Sequence, residues 1–315
     1  MKWSGDEIRR HLIHTVGRYK LTHATGLQAC LSMMHLNDYI DLDRYPIHEL
    51  DSVDGQSLVN SCHQMMRTDT LVNLSGFLRA PAVEKLRCEL EPLSENAHQQ
   101  NYLSTAYGWM NNDGFSTDHP RGKLFDRRCG VITTDMLDST GPSWELFRFD
   151  ELTRFVQRLL SASTLYRSEC PTLSIQVNTM KSEECFGWHY DTNDGVVSFT
   201  IQNPDEGGQF QYAPLIRDED DEHYDDVARL MDGVKSPRSP VQEPGTFALF
   251  LGRRSIHRVA PVGKTRRPRI SLLYSYDERP GMVFPEQTCR RFTHPSDEPY
   301  RGALSSKWSA LPKTY

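Results

Sequence analysis

The sequence predicts a mainly β protein with flanking helices, its strands antiparallel and closed into a sandwich or barrel. Three observations carry this. Between Leu173 and Glu278 come the strand-like segments LSIQVNTM, FGWHYD, VVSFTIQN, GQFQYAP, TFALFLG, IHRVAP and RISLLYSYD. Asp-Gly, Gly-Gly, Pro-Gly and Gly-Lys pairs punctuate them, which is turn chemistry. No long helical pattern separates most of them, which argues against βαβ units and a parallel sheet.

The remaining elements follow in chain order. Asp6 is placed to cap a helix in which Ile8, Leu12, Ile13 and Val16 recur at helical spacing. Leu27, Leu31 and Met34 form a second such stretch. The run LNDYIDLDRYPIHELDSVDG reads as a connection with short turns, and residues 57–66 as another helix. Residues 1–67 thus form an N-terminal helical extension, expected to pack on the main domain or to contribute to a dimer interface. The main domain is assigned to 68–292. TLVNLSGFL, 70–78, alternates and ends in a turn. Ala80 to Leu93 reads as a helix with Pro81 in its first turn, where a missing N–H costs little. NYLSTAYGWMNNDGFSTDHPRG is rich in Asn, Gly, Asp and Ser and reads as a long loop of the kind that lines sites. Asp150 is placed to cap a helix from Glu151 to Ser161. An insertion, 214–244, begins acidic, passes through the short helix candidate HYDDVARLMDG and ends in KSPRSPVQEPG, too rich in proline for a regular element. The tail, 293–315, is expected to cover the domain irregularly or to be mobile.

Composition narrows the function. A chain of 315 residues with 37% hydrophobic content can bury a real core. A net charge of -6 and a pI of about 6.1 speak against a nucleic-acid partner. The clearest charge run, RDEDDEHYDD at 217–226, would repel phosphate. The 7 cysteines are odd in number, widely spaced and without a CxxC pair. That fits a reducing, cytoplasmic compartment better than a disulfide framework. The N-terminus lacks the apolar run of a secretion signal, and no window is long and apolar enough to span a membrane. A monomer or homodimer acting on a small molecule is expected.

The chemistry concentrates in two stretches. His189 and Asp191 are two residues apart on a strand-like segment, so both point to one face. His257, in a second strand-like stretch after Gly252-Arg253-Arg254, is the best third ligand. Two imidazoles and one carboxylate on one face of a metal leave three positions open. That suits non-haem Fe(II) holding O2 and an organic co-substrate. Thiolate is absent from the set, against a structural zinc site. An HxD pair alone is weak evidence; a satisfied surface or core pair is the commoner explanation. Arg267, Arg269 and Ser271 add to it. Arg269 and Ser271 share a strand face, and a guanidinium on an inner face needs an anionic partner. Arginine plus hydroxyl suits the far carboxylate of 2-oxoglutarate.

An HxD pair, a distal His and Arg-x-Ser a dozen residues on resemble the Fe(II)/2-oxoglutarate-dependent oxygenases. That resemblance implies a double-stranded β-helix (jelly-roll, cupin-like) core. WHYDTNDGVVSFTIQNPDEGGQFQYAPLIRD, PGTFALFLGRRSIHRVAPV, RISLLYSYDERPGMVF and DHPRGKLF are further similar to the branch acting on free amino acids. That branch includes the radical amino acid halogenases and their hydroxylase and ring-forming relatives. The similarity covers about residues 70–292. The halogenases have a small residue in place of the carboxylate ligand. This chain keeps Asp191, which implies no halide position. The resemblance implies Fe(II), 2-oxoglutarate and O2 as cofactor and co-substrates, and oxidation of an unactivated C–H bond through Fe(IV)=O. Hydroxylation of a small amino acid-like substrate is the expected outcome; desaturation or aziridine-type amine ring closure is the alternative. A non-catalytic metal- or ligand-binding jelly-roll module is a second alternative, but it leaves the paired Arg and Ser without a task.

Among secondary candidates, Arg269 is preferred to Arg267 for 2-oxoglutarate because Arg-Ile-Ser matches the family's Arg-x-Ser. Asn178 faces an inner surface if LSIQVNTM is a strand; it meets 2-oxoglutarate or merely a backbone group. His119 and Arg121 are either surface turn residues or contacts to a substrate carboxylate. Asn193 and Asp194 form a turn, and either is also a candidate for a substrate ammonium. Trp188, Tyr274 and Tyr276 read as packing, and Arg258 as outward-facing.

Overall fold

The computed structural model describes residues 35–192 and 195–294. The helices expected at 6–16 and 27–34, and the tail beyond 294, lie outside the described residues. Helix α1 (Val53–Asp69) starts where the Ser52 hydroxyl accepts the Gly55 N–H at 3.0 Å. It runs past residue 67 to Asp69, and Thr70, in the left-handed region at φ 57°, turns the chain into strand β1 (Leu71–Leu74). Helix α2 (Ala80–Leu93) has Pro81 in its first turn, as the sequence predicts. Strands β2 (His98–Thr105) and β3 (Leu124–Ile132) follow, then helices α3 (Pro142–Arg148) and α4 (Asp150–Leu160). Strands β4 (Tyr166–Arg167), β5 (Ile175–Met180), β6 (Cys185–His189), β7 (Val196–Gln202) and β8 (Phe210–Ala213) come next. Helix α5 (Tyr224–Met231) lies in the insertion. Strands β9 (Phe247–Phe250), β10 (Ile256–Val259), β11 (Arg269–Tyr274) and β12 (Tyr276–Asp277) lead to helix α6 (Glu286–Thr293).

Ten strands form one curled antiparallel sheet in the order β1-β9-β7-β11-β5-β3-β6-β10-β8, with β2 on β3. Strand β3 makes the curl. Its end, Gly130 to Ile132, pairs with β5, while Arg127 and Arg128 pair with β6. The sheet thus passes from one wall of a half-barrel to the other within a single strand.

Strand period decides what each wall presents. On β11, Ile270, Leu272 and Tyr274 enter the main core, whereas Arg269, Ser271 and Leu273 line the interior of the half-barrel. Strand β5 gives Ile175 and Val177 to the core and Gln176 and Asn178 to the interior. Helices α2, α3 and α4 cover the apolar face through Leu86, Leu90, Phe147, Phe155 and Leu159. Phe77, fully buried, packs against Phe155, Phe199 and Phe247 with ring centroids 4.9–6.2 Å apart. Leu36, Tyr39 and Ile47 belong to the same core.

Three sequence expectations change. The segment read as a loop from residue 101 begins in β2 and is followed by β3, which pattern alone did not identify. Asp150 does not cap α4: Phe149 is the N-cap residue, and Asp150 pairs with Arg167 at 2.9 Å. The irregular tail expected from 293 is preceded by a helix, α6, whose last residue is Thr293. Among the described residues no helix is long and apolar enough to cross a membrane.

Candidate active site

The ligand cluster is a product of strand register. His257 on β10 is the Cα partner of His189 on β6, so the two rings lie side by side with centroids 4.0 Å apart. Asp191, two residues beyond His189, completes the set. His189 Nε2 is 3.9 Å from Asp191 Oδ1, and His257 Nε2 is 3.5 Å from Asp191 Oδ2. One ligand atom from each lies within 4.8 Å of the others. His189 Nδ1 donates to the Gly187 carbonyl at 2.8 Å, and His257 Nδ1 donates to the Ser255 carbonyl at 3.1 Å. A carbonyl only accepts, so both rings carry hydrogen on Nδ1 and turn an Nε2 lone pair toward the cluster. Burial, then the neighbouring His257, pushes His189 well below the usual histidine range, favouring the neutral ligating form.

The donor set fits a metal ion. Cis ligands at about 2.0–2.2 Å from an ion lie about 3 Å apart, so the cluster needs to contract by less than about 2 Å. Gly252 shapes the aspartate's place. Its carbonyl accepts the Asp191 N–H at 3.1 Å, and a Cβ on it would lie 1.9 Å from Asp191 Oδ2. Only a glycine leaves room for the carboxylate there.

A cavity of about 920 Å³ opens from the cluster into the half-barrel. Arg269, Ser271 and Asn178 line it, as do Phe210, Phe250 and Leu273. Arg269 is buried; its Nε donates to the Gly208 carbonyl at 2.9 Å and its Nη1 to Ser271 Oγ at 2.7 Å. Burial alone pushes this guanidinium down, to about 10. No carboxylate among the described residues pairs with it. A buried cation of this kind calls for an anionic ligand. Asn178 Oδ1 accepts from Gln176 Nε2 at 2.8 Å, so its amide nitrogen can face the interior.

The other sequence candidates lie elsewhere. Arg267 is outside the cavity, paired with Asp205 at 3.1 Å on an exposed edge. Proline at 268 breaks the strand phase that would have brought it inside. His119 and Arg121 do not line the cavity either. His119 packs on Phe115 and Tyr224 at 4.4 and 4.6 Å. Arg121 is held by the Asn112 side chain at 3.0 Å and by the Asn111 carbonyl. Both serve to fold their own loop onto the insertion. Asn193 and Asp194 lie outside the described residues. Trp188 is buried on the opposite face, with Arg258 stacked 4.5 Å over it.

Sequence reasoning missed two residues. Gly252 was legible only as part of a turn. Arg127, on the part of β3 that pairs with β6, lines the cavity with its guanidinium carbon 3.9 Å over the Phe186 ring. That ring in turn stacks on His189 at 3.7 Å and 4°. Nothing in DRRCG distinguishes Arg127 from Arg128, which turns toward Cys185.

No protein-family model and no curated protein matches the chain. Solved structures do. The non-heme α-ketoglutarate-dependent epimerase SnoN from nogalamycin biosynthesis aligns with a TM-score of 0.50 at 13% identity, over 79% of this chain and 95% of its own. A 2OG-Fe(II) oxygenase family oxidoreductase from Burkholderia pseudomallei aligns at 0.44 and 17% identity, over 71% and 92% of the two chains. A prolyl-4-hydroxylase from Pseudomonas putida aligns at 0.44 and 13%, over 70% and 100%. The chain shares the curled antiparallel fold of that α-ketoglutarate-dependent epimerase, and within it two histidines and one carboxylate are gathered where they could hold one metal ion.

Proposed function

We propose that the protein is an Fe(II)- and 2-oxoglutarate-dependent oxygenase that oxidises an unactivated C–H bond of a small, amino acid-like molecule, with hydroxylation as the outcome. One observation carries the reading. The facial set opens into the same cavity as a buried arginine that has no carboxylate partner among the described residues. A catalytic zinc site can use similar ligands. The separate, desolvated arginine is what a chelating keto diacid requires and a zinc-bound water does not.

When bound, ferrous iron would activate O2, the oxidant, with 2-oxoglutarate giving up two electrons as it is converted to succinate and CO2 and the C–H substrate giving up the other two. The chain's part is placement. The Gly187 and Ser255 carbonyls fix both imidazole tautomers. Gly252 seats Asp191, and a retained carboxylate fills the coordination position that a halide would need. Arg269 and Ser271 hold the distal carboxylate of the co-substrate, and Asn178 offers an amide beside them. Phe210, Phe250 and Leu273 keep the inner cavity apolar, which strengthens each charged contact. The amino acid-like substrate rests on the sequence stretches similar to the free-amino-acid branch.

The experiment is succinate release from 2-oxoglutarate under Fe(II) and O2 with a panel of free amino acids, analysed by mass spectrometry. Stimulation by one amino acid with an added oxygen in the product supports the reading. Stimulation only by a peptide or oligonucleotide removes the substrate assignment. Unchanged turnover in Asp191→Ala removes the metal assignment.

A further inference from the structure

We propose that Arg127 is a second anion-binding residue of the cavity, and that it recognises a carboxylate on the molecule to be oxidised. Calling that molecule the substrate rests on the oxygenase reading above; the anion site itself does not.

Arg127 sits where β3 crosses from one wall to the other, Cα-paired with Phe186. Its guanidinium lies 3.9 Å over Phe186 and within 5.6–5.8 Å of the Phe292 and Tyr102 rings. Its Nε is buried and has no hydrogen-bond partner. No salt bridge joins it to a carboxylate among the described residues; the Cys129 thiol is its side-chain hydrogen-bond partner, and the charge of Asp191, itself one of the three ligands, favours its charged form. Aromatic faces return only about 0.5–2 kcal/mol to a cation, less than removing it from water costs. The Nε–H thus still requires an acceptor, and an anion in the cavity would supply it. The stack Arg127, Phe186, His189 puts that requirement two ring spacings from a metal ligand.

Charge balance points the same way. With ferrous iron, Arg127 and Arg269 against Asp191, the inner cavity carries three positive charges. Dianionic 2-oxoglutarate leaves one. A substrate bearing one net negative charge there, such as a carboxylate, neutralises the site. The remaining charged lining residues, Arg67, Arg254 and Glu278, are exposed at the mouth. Phe292 lies beside Arg127, and Trp109 and Phe284 line the same cavity, so the rest of the ligand is apolar or aromatic in part. His119 and Arg121, the carboxylate contacts suggested by sequence, are engaged in their own loop, and Arg127 takes that role.

The test uses the full chain loaded with Zn(II), which is redox-inert. Calorimetry measures dissociation constants for 2-oxoglutarate alone. With 2-oxoglutarate present, it then measures octanoate, hydrocinnamate and the L-α-amino acids, each beside its primary amide. At least one acid is expected to bind tenfold or more tightly than its amide. Arg127→Gln should abolish that preference, and Arg127→Lys should keep only part of it, because lysine lacks the planar fork. Arg127→Met, which keeps the stem over Phe186, stands in if the glutamine variant does not fold. Arg269→Gln should instead weaken 2-oxoglutarate. The proposal is overturned if amides bind as well as acids, if no acid binds protein that binds 2-oxoglutarate, or if the preference survives in the Gln and Met variants. It is also overturned if Arg127→Gln, not Arg269→Gln, is the variant that loses 2-oxoglutarate. An acid preference that depends on Arg127, in protein that binds no 2-oxoglutarate, would uphold the anion site and end the oxygenase reading.

Discussion

Gly252→Ala tests the metal site without touching a ligand. The glycine's backbone is outside the left-handed region, so alanine meets no conformational penalty and the question is space alone. The new Cβ would lie 1.9 Å from Asp191 Oδ2, 2.7 Å from Cγ and 3.0 Å from Cβ. Ordinary contact begins near 3.4 Å, so the nearer oxygen must retreat by about 1.5 Å. Metal–oxygen bonds are about 2.0–2.2 Å long, and a displacement of that size breaks one. Neighbours that merely orient a ligand are worth about 10–100-fold in metal affinity. Because this substitution displaces the ligand itself, we expect a loss at or above the upper end. Titration of Mn(II) or Fe(II) under anaerobic conditions reads the affinity, and a circular-dichroism melt checks the fold. A variant that melts like the parent and binds metal within threefold of it would refute the view that Gly252 seats the carboxylate.

Further outcomes follow from the same geometry. Arg269→Gln removes charged hydrogen bonds worth about 1.5–3 kcal/mol, so 2-oxoglutarate should bind about 10–150-fold more weakly, measured anaerobically in the metal-loaded protein. Chelation should lower stability without unfolding the chain, because the ligand strands are already paired in the sheet. The expected loss is about 2.7 kcal/mol relative to protein held at a metal concentration 100 times its Kd, read as a shift in Tm. Phe77→Ala should cost about 3–5 kcal/mol in urea denaturation, since Phe77 is fully buried among Phe155, Phe199 and Phe247.

The strands that carry the site were legible because each shows one apolar face. Isoleucine, leucine and tyrosine at 270, 272 and 274 alternate with Arg269, Ser271 and Leu273, and period two did the rest. Strand β3 was not legible for the opposite reason. Its first half runs along a rim and carries Asp126, Arg127 and Arg128, while its last residues are buried on both faces. Such a strand neither alternates nor reads as an apolar run. Helix α6 buries none of its residues, so it offered no periodic signal.

The cluster itself illustrates what spacing can and cannot fix. His189 and Asp191 share a face wherever the segment is extended, whatever strands lie beside it. That His257 stands opposite His189 depends on the β6–β10 register, and a slip of one residue would turn it to the other face. The register is in turn constrained from the other side of β10, where Ile256 to Val259 pair in step with Ala213 to Phe210. The glycine-rich and proline-rich connections around those strands thus bear on the chemistry as directly as the ligands do. They decide which side chains meet, and Gly252 and Arg127 owe their places in the cavity to the same pairings.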